Sequence, residues 1–156
     1  MLLKSKRPEG FYKLKTLCFG GAKIQRSSIF EFLDRYKDID LIETYGMTEL
    51  GPRVSCLNLS KHPDKIGSVG KPMDKIKVKI IDKNGNEVRA KAPGEIWIWS
   101  PCRMTGYYAN PAETAKVLRE GWFQTGDIGF QDEAGYLFIV GREKNIIICG
   151  GINVYP

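Results

Sequence analysis

The chain has 156 residues, 42% hydrophobic and 27% charged, one ordinary domain's worth of globular sequence, which excludes a disordered, collagen-like or coiled-coil chain. Twenty-four Lys and Arg against eighteen Asp and Glu give a charge of +6, but the excess is scattered and no aromatic-interleaved basic stripe accompanies it, so no nucleic-acid partner is expected. No apolar run nears the ~20 residues of a membrane span, and the basic start Lys4-Ser5-Lys6-Arg7 follows too short an apolar stretch for a secretory signal, so a cytoplasmic setting is expected.

In chain order, Leu14 to Phe19 is an apolar-leaning run stopped by Gly20-Gly21 and predicts a short buried strand. Ile29, Phe32, Leu33 and Tyr36 then fall at i, i+3, i+4 and i+7, the stripe of an amphipathic helix, with Ser27 or Ser28 available near its N-terminus. Ile39 to Tyr45 reads as a second strand ending at Gly46. Strand, crossover helix and strand make a βαβ unit, which requires a parallel sheet.

From about Ile66 the texture changes to short strands and tight turns. Lys75, Lys77 and Lys79 alternate with Ile76, Val78 and Ile80, a period-two pattern with one apolar face. Asn84-Gly85 follows as a hairpin signal, leading into Glu87-Val88-Arg89. Further strands are predicted at Glu95 to Trp99, with Trp97 and Trp99 in the core, and at Tyr136 to Val140. Between them Asn110-Pro111-Ala112-Glu113 carries Asn at N-cap, Pro at N1 and Glu at N3, opening a short helix that stops at Gly121. Ile146-Ile147-Ile148 is strongly strand-prone, and with nothing after Pro156 to cover it, this end suggests that something downstream is missing.

Cys18, Cys56, Cys102 and Cys149 are widely spaced without a CxxC pair and read as small buried hydrophobes. His62 is the only histidine, which argues against a histidine metal cluster or a Ser-His-Asp triad.

Four segments place small residues beside polar groups at strand ends, where open α/β sheets bind ligands. They are Gly20-Gly21-Ala22, Tyr45-Gly46-Met47-Thr48-Glu49, Gly121 to Asp127 and Gly141 to Asn145. Glycine lets a planar or phosphorylated ligand approach the backbone, tyrosine can stack on a base, and a threonine hydroxyl can donate to phosphate. Glutamate can hold Mg²⁺, while aspartate and arginine suit ribose hydroxyls and phosphate. Together these segments describe a nucleotide site, although each alone could be a turn.

In order and spacing they resemble the adenylate-forming (AMP-binding) superfamily, most closely the acyl-CoA synthetases. Further matching segments are Ile66 to Pro72, Pro93-Gly94-Glu95-Ile96, Gly106-Tyr107-Tyr108, Gly135-Tyr136-Leu137 and Gly150 to Pro156. The resemblance implies an α+β, β-rich fold: the end of an α/β subdomain (residues 1–63), a distorted antiparallel β-barrel-like subdomain (64–140), and the hinge with the start of the small domain (141–156). It implies activation of a carboxylic acid by ATP and Mg²⁺ to an acyl-adenylate, then transfer to a thiol, coenzyme A being expected. Gly20, Gly21 and Ala22 would line the adenine and acyl pocket, and Tyr45, followed by Gly46, would lie against the adenine. Thr48 would bond the α-phosphate, Glu49 would hold Mg²⁺, and Asp127 would bind the ribose with Arg142 beside it. Lys144 would be the hinge, and Gly150 and Gly151 would belong to the loop swung toward the thiol. The family's phosphate loop ending in Pro-Lys-Gly and its late catalytic lysine have no match in this sequence, so an internal segment, inactive alone and needing the flanking parts of the enzyme, is expected. The alternatives are a peptide-synthetase adenylation domain and a non-catalytic nucleotide-binding or interaction homologue.

Overall fold

A computed structural model of the chain describes residues 13–145, and the backbone of 147–149 and 152–154. Strand β1 (Thr16–Gly20), helix α1 (Arg26–Arg35) and strand β2 (Asp40–Met47) form the expected crossover, with β1 parallel to β2 from Thr16 opposite Asp40 to Gly20 opposite Thr44. Ile29 and Phe32 of α1, with Tyr36 just beyond it, pack on Leu41, Leu57, Leu59 and Ile66. This burial, rather than capping, fixes the helix: the cap residue is Gln25, whose side chain makes no cap bond, while Ser27 and Ser28 lie inside the first turn. β1 is not buried but alternates exposed and half-buried, because among the described residues it pairs only with β2, at one end of its sheet. β2 does not stop at Tyr45 but runs to Met47, kinked by a bulge there. Antiparallel β3 (Gly51–Asn58) and β4 (Lys71–Pro72) complete the order β1-β2-β3-β4.

The second sheet is antiparallel, ordered β5 (Lys77–Ile81), β6 (Gly94–Trp99), β8 (Trp122–Gln131) and β7 (Leu118–Arg119), with β9 (Leu137–Arg142) also paired to β8. β8 is ten residues long: β6 runs along it from Phe123 to Gly129, β7 pairs with its start at Trp122 and Phe123, and β9 pairs with its second half from Asp127 to Gln131. Bulges at Glu95/Trp97 and Ile128/Gly129 curl the sheet. After the Asn84-Gly85 turn the return segment makes only an isolated bridge, Glu87 to Ile81. Helix α2 (Pro111–Val117) is capped as expected, the Asn110 side chain accepting from the Glu113 amide. It ends before Gly121, because Leu118 and Arg119 pair with β8.

The second core joins Tyr45, Leu50 and Val54 to Ile80, Ile96, Ile98, Phe123 and Leu137, uniting both sheets. Ile96 and Ile98 fill it, so Trp97 and Trp99, on the other face of β6, are half-buried rather than core. Their flank carries Arg103 and Lys77 over Trp99, and Trp97 donates to Glu95. The sheets meet where Leu137 and Gly70 bridge, and buried Ser68 donates to the Leu137 carbonyl and accepts from the Gly70 amide. The cysteines depart from expectation: Cys18, on edge strand β1, and Cys102, in a turn, are exposed, and Cys56 is half-buried in central strand β3, between Thr44 and Lys71. The Cys149 side chain lies outside the described residues. Strands β10 (Ile147–Cys149) and β11 (Ile152–Val154) pair with each other, so the strand-prone end finds its backbone partner within the chain. Among the described residues no helix is long and apolar enough to cross a membrane.

Candidate functional site

The β8–β9 register sets Asp127 directly opposite Arg142, and the arginine Nε donates to Asp127 Oδ1 at 2.9 Å. From β2, the Tyr45 hydroxyl donates to Asp127 Oδ2 at 2.7 Å. Asp127 is only 3% exposed, so its charge is desolvated and held by one cation and one neutral donor. Burial, and then the neighbouring Asp127 charge, push the Tyr45 phenol well above its ordinary range, so it remains a donor. The turn before Asp127 is tied down: Thr125 Oγ1 donates to the Ile96 carbonyl and accepts from the Asp127 amide, while Glu95 accepts from the Gly126 amide. Glu95 thereby positions the site from β6.

Gly20, Gly21, Ala22, Tyr45, Gly46, Asp127 and Arg142 line one cleft of about 490 Å³. Gly20, Gly21 and Gly46 also line a second cleft, of about 550 Å³, together with Thr48. The glycines serve different ends. A Cβ at Gly20 would strike the Thr44 carbonyl and one at Gly46 the Pro52 carbonyl, so these two are required by strand packing. Gly21, at φ +79°, would meet nothing, and it alone of the three leaves open space in the cleft.

Glu43 also lines the first cleft, and sequence reasoning missed it. Its Oε2 is buried without a hydrogen-bond partner, and burial raises its carboxyl to about 7. The signal was there: Glu43 shares the two-residue period of Leu41 and Tyr45, both buried. A carboxyl titrating near neutrality can either donate or accept toward a ligand.

Glu49 lies in the turn after β2, outside the residues lining either cleft, and accepts from the Tyr107 hydroxyl at 3.0 Å. Lys144 is exposed in the short turn Glu143–Asn145 that follows β9, and its neighbour Asn145 reaches the first cleft. Gly150 and Gly151 lie outside the described residues. Among the described residues no group of three or more His, Cys, Asp or Glu could hold a metal. A single carboxylate such as Glu49 nevertheless suits Mg²⁺, which binds through one or two carboxylates plus substrate phosphates.

Residues 1–108 match the family model described as AMP-binding enzyme. A feruloyl-CoA synthase of Amycolatopsis sp is 40% identical over 143 residues, 92% of this chain and 29% of that protein. A long-chain-fatty-acid–CoA ligase of Yersinia pestis is 39% identical over 147 residues, 94% of this chain and 26% of its own length. Among solved structures, the O-succinylbenzoate coenzyme A synthetase of Bacillus subtilis in complex with ATP and magnesium ion superposes with a TM-score of 0.87 at 30% identity, covering 99% of this chain and 32% of that one. The chain thus spans less than a third of the length of these relatives.

Proposed function

Because this chain belongs to the AMP-binding enzyme family, we propose that it works as part of a cytoplasmic acid–thiol ligase that makes acyl-adenylates and passes the acyl group to coenzyme A. In the first half-reaction a carboxylate oxygen attacks the α-phosphorus of ATP, and the bond to pyrophosphate breaks. In the second a thiolate attacks the acyl carbonyl and AMP leaves. The observation that carries this reading is the convergence of Tyr45, Asp127 and Arg142 with Gly20-Gly21-Ala22 on one cleft.

The cleft fits a nucleoside. Asp127 spends one hydrogen bond on each oxygen, leaving acceptor lone pairs for ribose hydroxyls. Open space over Gly21 admits a flat base, and Glu43, whose Oε2 has no hydrogen-bond partner, lines the same cleft. Tyr45 and Arg142, bonded to its two oxygens, keep the Asp127 carboxylate oriented before ligand arrives. Thr48, on the side of the second cleft, would bond the α-phosphate. Glu49 would hold Mg²⁺, whose charge would neutralise the departing pyrophosphate. Lys144 would be the pivot for a swing of the following domain. The shared septum of Gly20, Gly21, Thr44 and Gly46 would put acyl group and nucleotide on opposite sides of one wall.

Spanning less than a third of its relatives' length, the chain alone should bind nucleotide weakly and not turn over. The relatives' names cover aromatic and fatty acids at similar identity, so this segment supports the activation chemistry without selecting the acid. Calorimetric titration of the chain with a non-hydrolysable acyl-adenylate mimic tests the site. Binding is expected to fall at least about tenfold in Asp127→Ala, through loss of a charge-assisted hydrogen bond to ribose. Unchanged affinity would remove the ribose assignment.

A further inference from the structure

We propose that Tyr107 is a positioning residue that fixes the Glu49 carboxylate and so presents its free oxygen to the metal of bound MgATP; this rests on the nucleotide-site reading above. Glu49 sits in a turn whose main chain is anchored at both ends, by the Leu50 amide to the Met47 carbonyl and by the Met104 amide to the Glu49 carbonyl, at 3.1 and 2.7 Å. Its side chain has three rotatable bonds and reaches toward solvent. The Tyr107 hydroxyl at Oε1, 3.0 Å away, restrains it, and it engages one carboxylate oxygen while leaving Oε2 to accept. Ligating carboxylates are commonly oriented in this way by an outer hydrogen bond.

Tyr107 is itself held for the task. Its amide donates to Thr114 Oγ1 at 2.9 Å, and that hydroxyl donates to the Asn110 carbonyl at 2.9 Å. The Asn110 amide donates back to the Tyr107 carbonyl at 3.2 Å. The tyrosine, 58 residues from Glu49 in sequence, thus has its backbone clamped to the capped first turn of α2. Tyr108 beside it is 100% exposed, so the pair offers an internal contrast: one tyrosine clamped and bonded to the acid, the other free of packing. As an exposed hydrogen bond, Tyr107–Glu49 adds little to stability, which leaves orientation as its effect.

The test compares AMP without metal and ATP with Mg²⁺ or Mn²⁺ on the full chain, by calorimetry and by Mn²⁺-induced water relaxation. Tyr107→Phe is expected to leave AMP affinity and thermal midpoint unchanged, and to lower the metal-dependent gain in ATP affinity about tenfold. Raised Mn²⁺ should restore that gain, and Tyr108→Phe should behave as wild type. The proposal is overturned if Tyr107→Phe keeps the wild-type metal dependence, or if AMP and MgATP weaken in parallel, which marks a structural role. Failure of the unsubstituted chain to bind either nucleotide instead overturns the nucleotide site, and this proposal with it.

Discussion

At the scale of single residues, the informative groups are acids whose surroundings differ. Asp127 is buried and compensated by Arg142 and Tyr45, whereas Glu43 is buried and uncompensated at one oxygen. Its folded value of about 7 lies above the ordinary 4.5, so the folded state holds the proton more tightly than the unfolded chain does. The resulting stability is fully present below about pH 4.5 and is lost as pH rises through about 7. Glu43→Gln should therefore flatten the pH dependence of the denaturant midpoint and stabilise the chain at pH 8. The gain should be at most about 3 kcal/mol, and less because the side chain keeps some solvent contact. A variant whose midpoint still falls between pH 5 and 8 would assign the dependence to another group. Neither acid's environment could be read from residue type: Tyr45 and Asp127 stand 82 positions apart, and only the resemblance, not any periodicity, set them in one site.

At the scale of elements, α2 shows local chemistry deciding structure. Seven residues are too few for an autonomous helix, so the Asn110 cap and the packing of Val117 on the second core hold it. Asn110→Ala should cost about 1 kcal/mol, read from the thermal midpoint, and should also weaken the metal-dependent ATP gain, since Tyr107 is clamped to that first turn. An Asn110→Ala chain that loses stability but keeps the gain would show that Tyr107 stands without the cap. This cap was fully legible, because its donors and acceptors lie within four residues. The α1 start was not: Ser27 and Ser28 had the right chemistry, yet burial of Ile29 and Phe32 sets the helix phase and draws both serines inside. Trp97 and Trp99 were misplaced for a related reason. In a strand rich in apolar residues on both faces, Ile96 and Ile98 compete for the same core, and only the partner sheet decides which face wins.

On the scale of the whole molecule, the two sheets share a core, and a buried hydroxyl closes one of the joints between them. Ser68 is 0% exposed and satisfies both the Leu137 carbonyl and the Gly70 amide. Ser68→Ala should cost about 1–3 kcal/mol by leaving the Gly70 donor unpaired. Amide hydrogen exchange should then quicken in β2 and β8 together, and acceleration confined to one of them would show that the sheets open independently. The crossover unit of β1, α1 and β2 was legible in the sequence, but antiparallel β3 (Gly51–Asn58), which joins its sheet, was not. That Tyr45, Leu50 and Val54 would join the second sheet's core was not, because nothing in a single strand's pattern names the surface it will meet.

The wall formed by Gly20, Gly21, Thr44 and Gly46 borders both clefts, and Thr44 alone gives it a side chain. With so little side-chain depth between them, a displacement of this backbone that enlarges one chamber encroaches on the other. Remodelling the second cleft for a bulkier guest through β1 or β2 would trade away fit in the first. Redesign of this fold's capacity would have to work from the far sides of the chambers, at positions that touch only one of them.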